Sequence, residues 1–333
     1  MEAVDLETKR AGDNQLHDLE KAAGDEVVSG GDAKRPRKGN DGYHAMELDD
    51  EDEEEVGPHE CFEMYRKEWI LMYGKNDAAS FYKPTGLRPM RHTDGPLLPS
   101  FAIHMDAMEV FFVKVARLTG GLQWPLDVYG DVADSLLELT GPSRAVVLLD
   151  EPIFEIDLKV KCEGSSSSSE DKVLCLDYFG YNNIAYHGTS SYAITEEVSS
   201  ESCAMEFRFT HLKRCVEATI TAHITSESGS FSARFTARTT SIGEDVVLLD
   251  SQGREVAVAE DGEVMLQRHV VVVEEQGELV LGMEAMLLGG DAAESTGVSQ
   301  KLSYYARSAL RSIAYFEIGS IRIKMLVAWS LLH

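Results

Sequence analysis

Hydrophobic and polar residues alternate in four segments of the chain, at 154–161, 205–209, 218–225 and 231–238. Successive side chains of a β-strand point to opposite faces, so this alternation buries one face and leaves the other in water. Several such segments in one region are typical of antiparallel sheets. The pattern therefore predicts an all-β fold, either an antiparallel β-sandwich or a barrel-like domain. The residues expected to point inward are Phe154, Ile156, Phe207, Ile220 and Phe235.

Further strands are expected on both sides of these segments. Apolar runs that favour strands lie at 108–118, 124–133, 146–149 and 173–179. Hairpins are predicted at 246–258 and 264–286, because each segment carries a glycine where the chain would turn. Two more strands close the chain at 311–329. We expect about ten to twelve strands in one β-sandwich domain at 107–333.

The segment 57–106 is predicted to be a short helix followed by an irregular linker. Apolar residues of the expected helix at 60–73 recur at spacings of three and four, which places them on one face. These residues are Phe62, Tyr65, Trp69 and Met72. We expect this face to dock on the β-domain. Residues 74–106 show no sustained period and many turn-forming residues, so they are expected to be the linker.

Two polar segments are predicted to lack regular structure. Residues 1–56 carry 18 Asp and Glu against 7 Lys and Arg, and such a segment cannot bury enough apolar area to offset its ordering entropy. They are expected to form a disordered acidic tail, in which the basic cluster at 34–38 is either a nuclear-import signal or a solvated charge cluster. The serine run at 165–169 is either a flexible loop or a phosphorylation site, because acidic residues follow it directly.

Charge and cysteine content limit the partners and the compartment. The formal net charge of −26 argues against general nucleic-acid binding and against docking on anionic membranes, since both need a basic face. The sequence has neither an apolar leader nor the roughly 20 apolar residues that a membrane span needs. Five cysteines without a CxxC pair indicate free thiols in a reducing compartment, which we expect to be the cytoplasm, with the nucleus as the alternative. Cys162 and Cys175 could face each other across a hairpin, but no disulfide is expected.

No motif in the sequence predicts a catalytic, cofactor-binding or metal-binding residue, since HExxH, GxSxG and glycine-rich phosphate loops are all absent. His211 and His223 fall on outward strand positions and are expected at the surface. Outward arginines at 208, 234 and 238 either pair with carboxylates across strands or form a basic patch for an acidic partner. Four aspartates near strand ends are expected to form turns, with calcium binding as the alternative. They are Asp150, Asp177, Asp245 and Asp250.

Three long stretches carry a family resemblance. Residues 109–133, 134–161 and 315–332 resemble a plant domain of unknown function, family 6598, which is expanded in grasses. The resemblance extends over residues 60–333 and implies a β-rich domain of the cytosol or nucleus. Some similar proteins are fused to ribosome-inactivating domains, which are rRNA N-glycosidases. The resemblance supplies no catalytic residue for this chain.

The chain departs from this family in one place. Similar proteins contain a further segment between the residues that correspond to Ala133 and Asp134, which are adjacent here. About one to two strands are therefore expected to be missing, and a missing strand would expose the edge of a sheet.

Three functional hypotheses remain open from the sequence. The leading one is a non-enzymatic interaction or structural module with an unknown protein partner and a link to plant defence. The first alternative is a protein associated with rRNA N-glycosidase activity, which needs a Glu and an Arg one helical turn apart, as at Glu63 and Arg66 beside Trp69. The second alternative is a β-barrel that binds a small ligand. The oligomeric state is left open.

Overall fold

The computed structural model describes residues 57–73, 88–94, 98–122, 127–128, 131–132, 136–137, 139–160, 172–185, 188–226, 229–289 and 297–332. The expected acidic tail, its basic cluster and the serine run lie outside these residues, and so does Cys162. The predictions for those segments therefore stay predictions.

One helix and fifteen strands form the described part of the chain. The helix α1 spans Pro58–Tyr73. The strands are β1 (Met105–Leu118), β2 (Asp127–Val128), β3 (Asp131–Val132), β4 (Val146–Val147), β5 (Ile153–Val160), β6 (Lys172–Gly180), β7 (Tyr192–Ser199), β8 (Cys203–Ile224), β9 (Phe231–Thr239), β10 (Val246–Asp250), β11 (Val270–Glu274), β12 (Glu278–Leu287), β13 (Val298–Tyr305), β14 (Arg311–Ile318) and β15 (Ile321–Ser330). Each strand pairs antiparallel with its neighbours. The all-β class with antiparallel sheets and one short helix is confirmed.

The strand β8 organises the largest sheet. It runs for 22 residues without a glycine or proline, so two alternating segments that the sequence predicts as separate strands form one continuous strand. Its first half, 203–212, pairs with β1 and β7, and its second half, 215–224, pairs with β11 and β15. Arg214 lies between the halves with a φ of 50°, where the register with β1 also shifts. Such an irregularity bends a strand and increases its twist.

Two smaller sheets pack on the two halves of β8. The sheet of β10, β9, β12 and β13 encloses one hydrophobic core with the second half of β8, β11, β14 and β15. The sheet of β3, β2, β5 and β6 encloses a second core with the first half of β8 and β1. We call the first the C-terminal core, with Ile220, Phe235 and Phe316 at its centre, and the second the N-terminal core, with Ile156 and Phe207.

Both predicted internal hairpins are wrong. In the segment 246–258, β10 pairs with the preceding strand β9, and residues 254–258 form no strand. In the segment 264–286, β11 pairs with β8, whereas β12 pairs with β9 and β13. The turn at 275–277 therefore carries the chain from one sheet to another. Four consecutive valines of β11 are buried, as expected for a strand that is covered on both faces rather than one in a half-exposed hairpin.

The helix α1 docks on the sheet of β5 and β6, as its apolar spacing predicts. Phe62 is 2% exposed, and the ring of Tyr65 stacks on Tyr178 of β6 with 4.1 Å between the ring centroids. Arg66 forms an ion pair with Glu155 of β5 at 3.2 Å. Met72 is exposed, so the docked face is shorter than the apolar pattern suggests. Within the described residues, no helix has the length and apolar character to cross a membrane.

Candidate functional site

An apolar cleft of about 420 Å³ opens at the N-terminal core. It lies between β1 and the first half of β8 on one side and β5 on the other, with Leu137 and residues 139–142 along its rim. Its apolar lining includes Met108, Val113, Leu139, Phe154, Met205 and Phe207. A volume of this size is within the range of sites for small ligands, which are mostly apolar with a few polar groups.

The alternating pattern of the strands supplies the apolar wall. Phe154, Ile156 and Leu158 occupy every second position of β5 and line the cleft together, as period-two alternation requires. The ring of Phe154 stacks on Phe179 at 4.6 Å and meets the edge of Phe207 at 5.9 Å, both measured between centroids. The wall is thus an aromatic cluster held from two sheets, although Phe154 itself stays only partly buried.

A buried ion pair forms the polar part of the wall. Arg268 Nη2 donates to Glu109 Oε1 at 2.5 Å, and Val272 N donates to Glu109 Oε2 at 3.0 Å. Both charged side chains are buried. Arg268 Nε is also buried and has no hydrogen-bond partner among the described residues. An unpaired buried donor is costly, and this atom is closed to solvent and therefore also to a ligand in the cleft.

Burial raises the pKa of Glu109 to about 7, although Arg268 and the Val272 amide act in the opposite direction. A carboxyl whose pKa is raised by burial, next to a specific charged partner and facing a cleft, is a functional-site candidate. The rim packs closely at this point, because a Cβ at Gly141 would lie 3.3 Å from Cβ of Arg268. Gly141 therefore lets residues 139–142 approach the arginine.

A second carboxylate, Glu155, lines the cleft beside helix α1. Its Oε2 accepts a hydrogen bond from Arg66 Nη2 at 3.2 Å. Burial, and then the charge and hydrogen bonding of Glu155, raise the pKa of Tyr65 to about 12. Asp157, two residues further along β5, also lines the cleft and is exposed. Both residues alternate with the apolar residues of β5, so their side chains point to the other face of the strand.

The helical residues considered for rRNA N-glycosidase activity have other contacts. Arg66 pairs with Glu155 rather than with Glu63, and its guanidinium lies 4.3 Å from the centroid of the Phe62 ring. The neighbouring Tyr65 and Tyr178 stack on each other at an interplanar angle of 14°. Each of these two rings covers one face of the other. An adenine base stacks only on an uncovered ring face, so the faces in this contact are closed to it.

The outward arginines do not form one patch. Arg208 is on β8, whereas Arg234 and Arg238 are on β9, which belongs to a different sheet. Each meets a carboxylate: Arg208 binds Glu244 through two nitrogens, Arg234 lies 3.4 Å from Asp250, and Arg238 lies 3.9 Å from Asp245. These contacts favour the interpretation of charge pairs on solvated sheet faces. They also engage two of the four aspartates that were considered for calcium binding.

The expectation of a surface histidine is wrong for His211, which is 1% exposed. Its Nε2 lies 3.1 Å from Asp106 Oδ2, and its Nδ1 lies 2.8 Å from the Tyr181 hydroxyl. Lys213 Nζ also donates to Asp106 Oδ2, at 2.8 Å. Burial lowers the pKa of His211, while the hydrogen bond with Asp106 opposes that shift. The histidine is thus part of a buried polar network between β1 and β8.

The position of a candidate metal site also differs from the sequence expectation. Among the described residues, ligand atoms of His223, Asp261 and Glu263 lie within 4.8 Å of one another. His223 forms a β-bridge with Glu263, and Asp261 Oδ1 accepts a hydrogen bond from Glu263 N at 3.1 Å. One imidazole and two carboxylates are donors that divalent transition metals accept. No signal in the sequence brings these three residues together, because the bridge joins distant segments.

Glu109 and Arg268, the buried charged residues beside the cleft, were not predicted from the sequence. Each interrupts an apolar stretch, Glu109 in a strand rich in Phe and Val and Arg268 just before the four valines of β11. A charged residue inside an apolar run is rarely buried without a partner, so the two interruptions were the available signal. Their pairing across 159 positions of the chain could not be deduced from spacing.

Comparison with known proteins places the chain in a sequence family. The model of a domain of unknown function, DUF6598, matches residues 131–327. No curated protein matches the chain significantly. Among solved structures, the two C2 domains of extended-synaptotagmin 2 have 8% identity and a TM-score of 0.23, over 75% of this chain and 99% of theirs. Human GIVD cytosolic phospholipase A2 has 9% identity and a TM-score of 0.24, over 68% of this chain and 30% of its own. Neither likeness carries a functional argument.

Proposed function

The chain belongs to the DUF6598 family of domains of unknown function, and on that premise we propose that it is a non-enzymatic module that binds a small apolar molecule in the cleft. The observation that carries this proposal is the aromatic and aliphatic cleft at the N-terminal core. Of the hypotheses from the sequence, this geometry favours ligand binding over a purely structural or protein-interaction role.

The apolar wall supports a hydrophobic ligand body. Leu139, Phe154 and Leu158 are only partly buried, so a ligand that covers them removes further apolar surface from water. Each Å² of apolar area removed contributes about 25 cal/mol. A pocket that is already formed also limits the conformational entropy that binding would cost.

The charged residues of the lining support an uncharged ligand. Among the described lining residues, Glu109, Glu155 and Asp157 are acidic, whereas Arg268 is basic and is already paired with Glu109. An anionic ligand is therefore disfavoured in the cleft.

The role of helix α1 in this proposal is to hold one side of the cleft. Arg66 fixes Glu155 through the ion pair at 3.2 Å, and the stacked Tyr65 and Tyr178 tie the helix to β6. In this proposal Arg66, one residue of the glycosidase hypothesis, has a supporting role. Release of adenine from intact ribosomes by the full chain, and its loss in Glu63→Ala, would instead favour the enzymatic alternative.

The test measures binding of Nile red, an uncharged apolar dye with a carbonyl oxygen, to the full chain by fluorescence. Leu139→Trp places a large ring in the cleft and is expected to weaken binding by about tenfold or more. Leu149→Trp is the matched control, because Leu149 is exposed and outside the cleft. The proposal fails if the wild-type chain shows no saturable binding, or if both variants weaken binding equally.

A second measurement tests the charge of the ligand. Dodecanol and laurate share one apolar chain and differ in their polar group. A ligand selective for the folded state raises Tm, so dodecanol is expected to raise Tm more than laurate does. A larger shift with laurate would overturn the uncharged-ligand proposal.

A further inference from the structure

Two buried thiols meet at one end of the N-terminal core. Cys175 lies on β6, and Cys203 begins β8. Each is 1% exposed. In the register of β5 and β6, the residue opposite Cys175 is Leu158, and Met205 follows Cys203 by two positions on β8. Leu158 and Met205 both line the cleft, so the thiols lie directly beside it.

A set of hydrogen bonds holds the two thiols together. Cys203 Sγ lies 3.5 Å from the carbonyl oxygen of Leu174, the residue before Cys175. Ser200 Oγ donates to the same carbonyl at 3.1 Å and lies 3.7 Å from Cys203 Sγ. The thiols of Cys175 and Cys203 affect each other's ionisation. Strands from two different sheets thus bring the two thiols close together.

The contact makes the two thiols unequal. The hydrogen bond from Cys175 lowers the pKa of Cys203 to about 7, against the effect of burial. The same hydrogen bond, with burial, raises the pKa of Cys175. A thiolate is the reactive form of cysteine, and a neighbouring thiol can resolve its oxidised product. Cys203 is therefore the thiol suited to react first, and Cys175 is the thiol suited to react with the oxidised Cys203.

We propose that Cys175 and Cys203 form a reversible disulfide that joins the sheet of β5 and β6 to β8 when the protein meets a hydroperoxide. The Cys203 thiolate attacks one peroxide oxygen, the O–O bond breaks, and a sulfenic acid forms while the other oxygen leaves as water after protonation. The Cys175 sulfur then attacks the sulfenic sulfur, the S–O bond breaks, and a second water leaves. Two thiols and one hydrogen peroxide give one disulfide and two waters.

This pair differs from Cys162 and Cys175, which the sequence could place across a hairpin but between which no disulfide is expected. Cys162, which flanks the serine run with Cys175, lies outside the described residues. Cys215 is buried on β8 between β1 and β11, and burial raises its pKa. Cys61 lies on helix α1 and is exposed. Among the described cysteines, only Cys175 and Cys203 have thiols in contact with each other.

The disulfide would fix the separation of the two walls of the cleft. This consequence rests on the proposed ligand binding, whereas formation of the bond does not. Oxidation is therefore expected to change the Kd for Nile red by about threefold or more. It is also expected to raise Tm by several degrees, because a cross-link restricts the unfolded chain.

The experiment treats the full chain with hydrogen peroxide, blocks remaining thiols with iodoacetamide and maps peptides by mass spectrometry. The expected product is a Cys175–Cys203 cross-linked peptide that dithiothreitol reverses, together with the rise in Tm. Cys203→Ser should abolish both, and Cys215→Ser, the matched buried control, should retain both. If Cys203→Ser fails to fold, Cys175→Ser takes its place. If neither variant folds, the peptide map of the wild-type chain decides.

The results separate the two proposals. A cross-link of Cys162 with Cys175, or alkylation of both Cys175 and Cys203 after oxidation, would overturn the disulfide. A Cys175–Cys203 cross-link with an unchanged Kd for Nile red would sustain the disulfide and overturn its effect on the cleft. Absence of dye binding in both redox states would count against the proposed function and leave the peptide result standing.

Discussion

The two cores are built from the same strand and the same alternating pattern, but they pack differently. Around the second half of β8, large side chains such as Phe235, Phe316 and Trp329 are fully buried. Around the first half, Phe154 and Leu158 stay partly exposed and border a cleft. The C-terminal core buries these large side chains fully, whereas the N-terminal core leaves some of its apolar side chains open to a cleft. Apolar alternation alone is therefore compatible with either outcome.

The molecule also contains a buried charge pair and an exposed charge pair that can be compared. The wall of the N-terminal cleft contains the buried pair of Glu109 and Arg268, with side chains 8% and 5% exposed. On the sheet that covers the C-terminal core, Arg234 pairs with Asp250 while both side chains are more than 40% exposed. A buried pair is strongly coupled to stability and pH, and an exposed pair contributes little. The comparison can be tested with matched substitutions.

The largest expected effect separates the two interiors. Phe235→Ala should lower the free energy of unfolding by about 3–5 kcal/mol, because it leaves a cavity in a filled core. Phe154→Ala should cost about 1–2 kcal/mol, because its ring borders an existing cleft and is already partly hydrated. Urea unfolding followed by fluorescence measures both. Equal losses would mean that the cleft side is packed as tightly as the C-terminal core.

A smaller effect concerns the pH dependence of the buried carboxyl. Burial raises the pKa of Glu109 from 4.5 to about 7, so between these values the folded state binds more protons than the unfolded state. The contribution of this group to the free energy of unfolding is present below about pH 4.5 and is lost as the pH rises to about 7. Glu109→Gln should remove about 1–3 kcal/mol of that pH dependence.

Urea unfolding of the wild-type chain and the variant across about pH 5 to 8 measures this difference. Glu284→Gln is the control, since Glu284 is an exposed glutamate on β12 in the sheet of the other core. If the free energy of unfolding depends on pH identically in the wild-type chain and in Glu109→Gln, then Glu109 does not titrate with a raised pKa.

The smallest effects are expected on the outer faces of the smaller sheets. Lys159→Ala on β5 and Arg234→Ala on β9 should each change the free energy of unfolding by less than about 0.5 kcal/mol. The two residues belong to different halves of the molecule. Similar small changes in the free energy of unfolding would therefore mean that the two halves differ in their cores and not on their outer faces. A loss above about 1 kcal/mol at either residue would indicate a contact that the solvated-face interpretation lacks.

Strand alternation made much of the fold predictable. Ile156, Phe207, Ile220 and Phe235 point inward as the pattern requires. The strands at 231–239 and 321–330 lie within a few residues of their predicted positions. The strands β7 and β13 were missed, because their partly exposed residues follow no clean apolar alternation. The sequence did not indicate that two predicted strands merge into β8. A bend near Arg214 lies where a break between these two strands was expected.

The candidate site was less accessible to sequence reasoning than the fold. Phe154 and Phe207 were expected inside the domain, and the structure places both at the cleft. Neither the cleft nor the contact between Cys175 and Cys203 follows from their positions in the chain. The sequence suggested Cys162 as the neighbour of Cys175, because proximity along the chain was the only distance available.

The sequence by itself determined the all-β class, the faces of the strands and the docking face of the helix. These features depend on residues one to four positions apart, whose relative directions are set by backbone geometry. Only the tertiary structure decided which strands pair, where β11 and β12 separate into different sheets, and that Arg268 meets Glu109. Those outcomes depend on contacts between distant segments, and the apolar pattern that favours burial does not specify which distant partner supplies it.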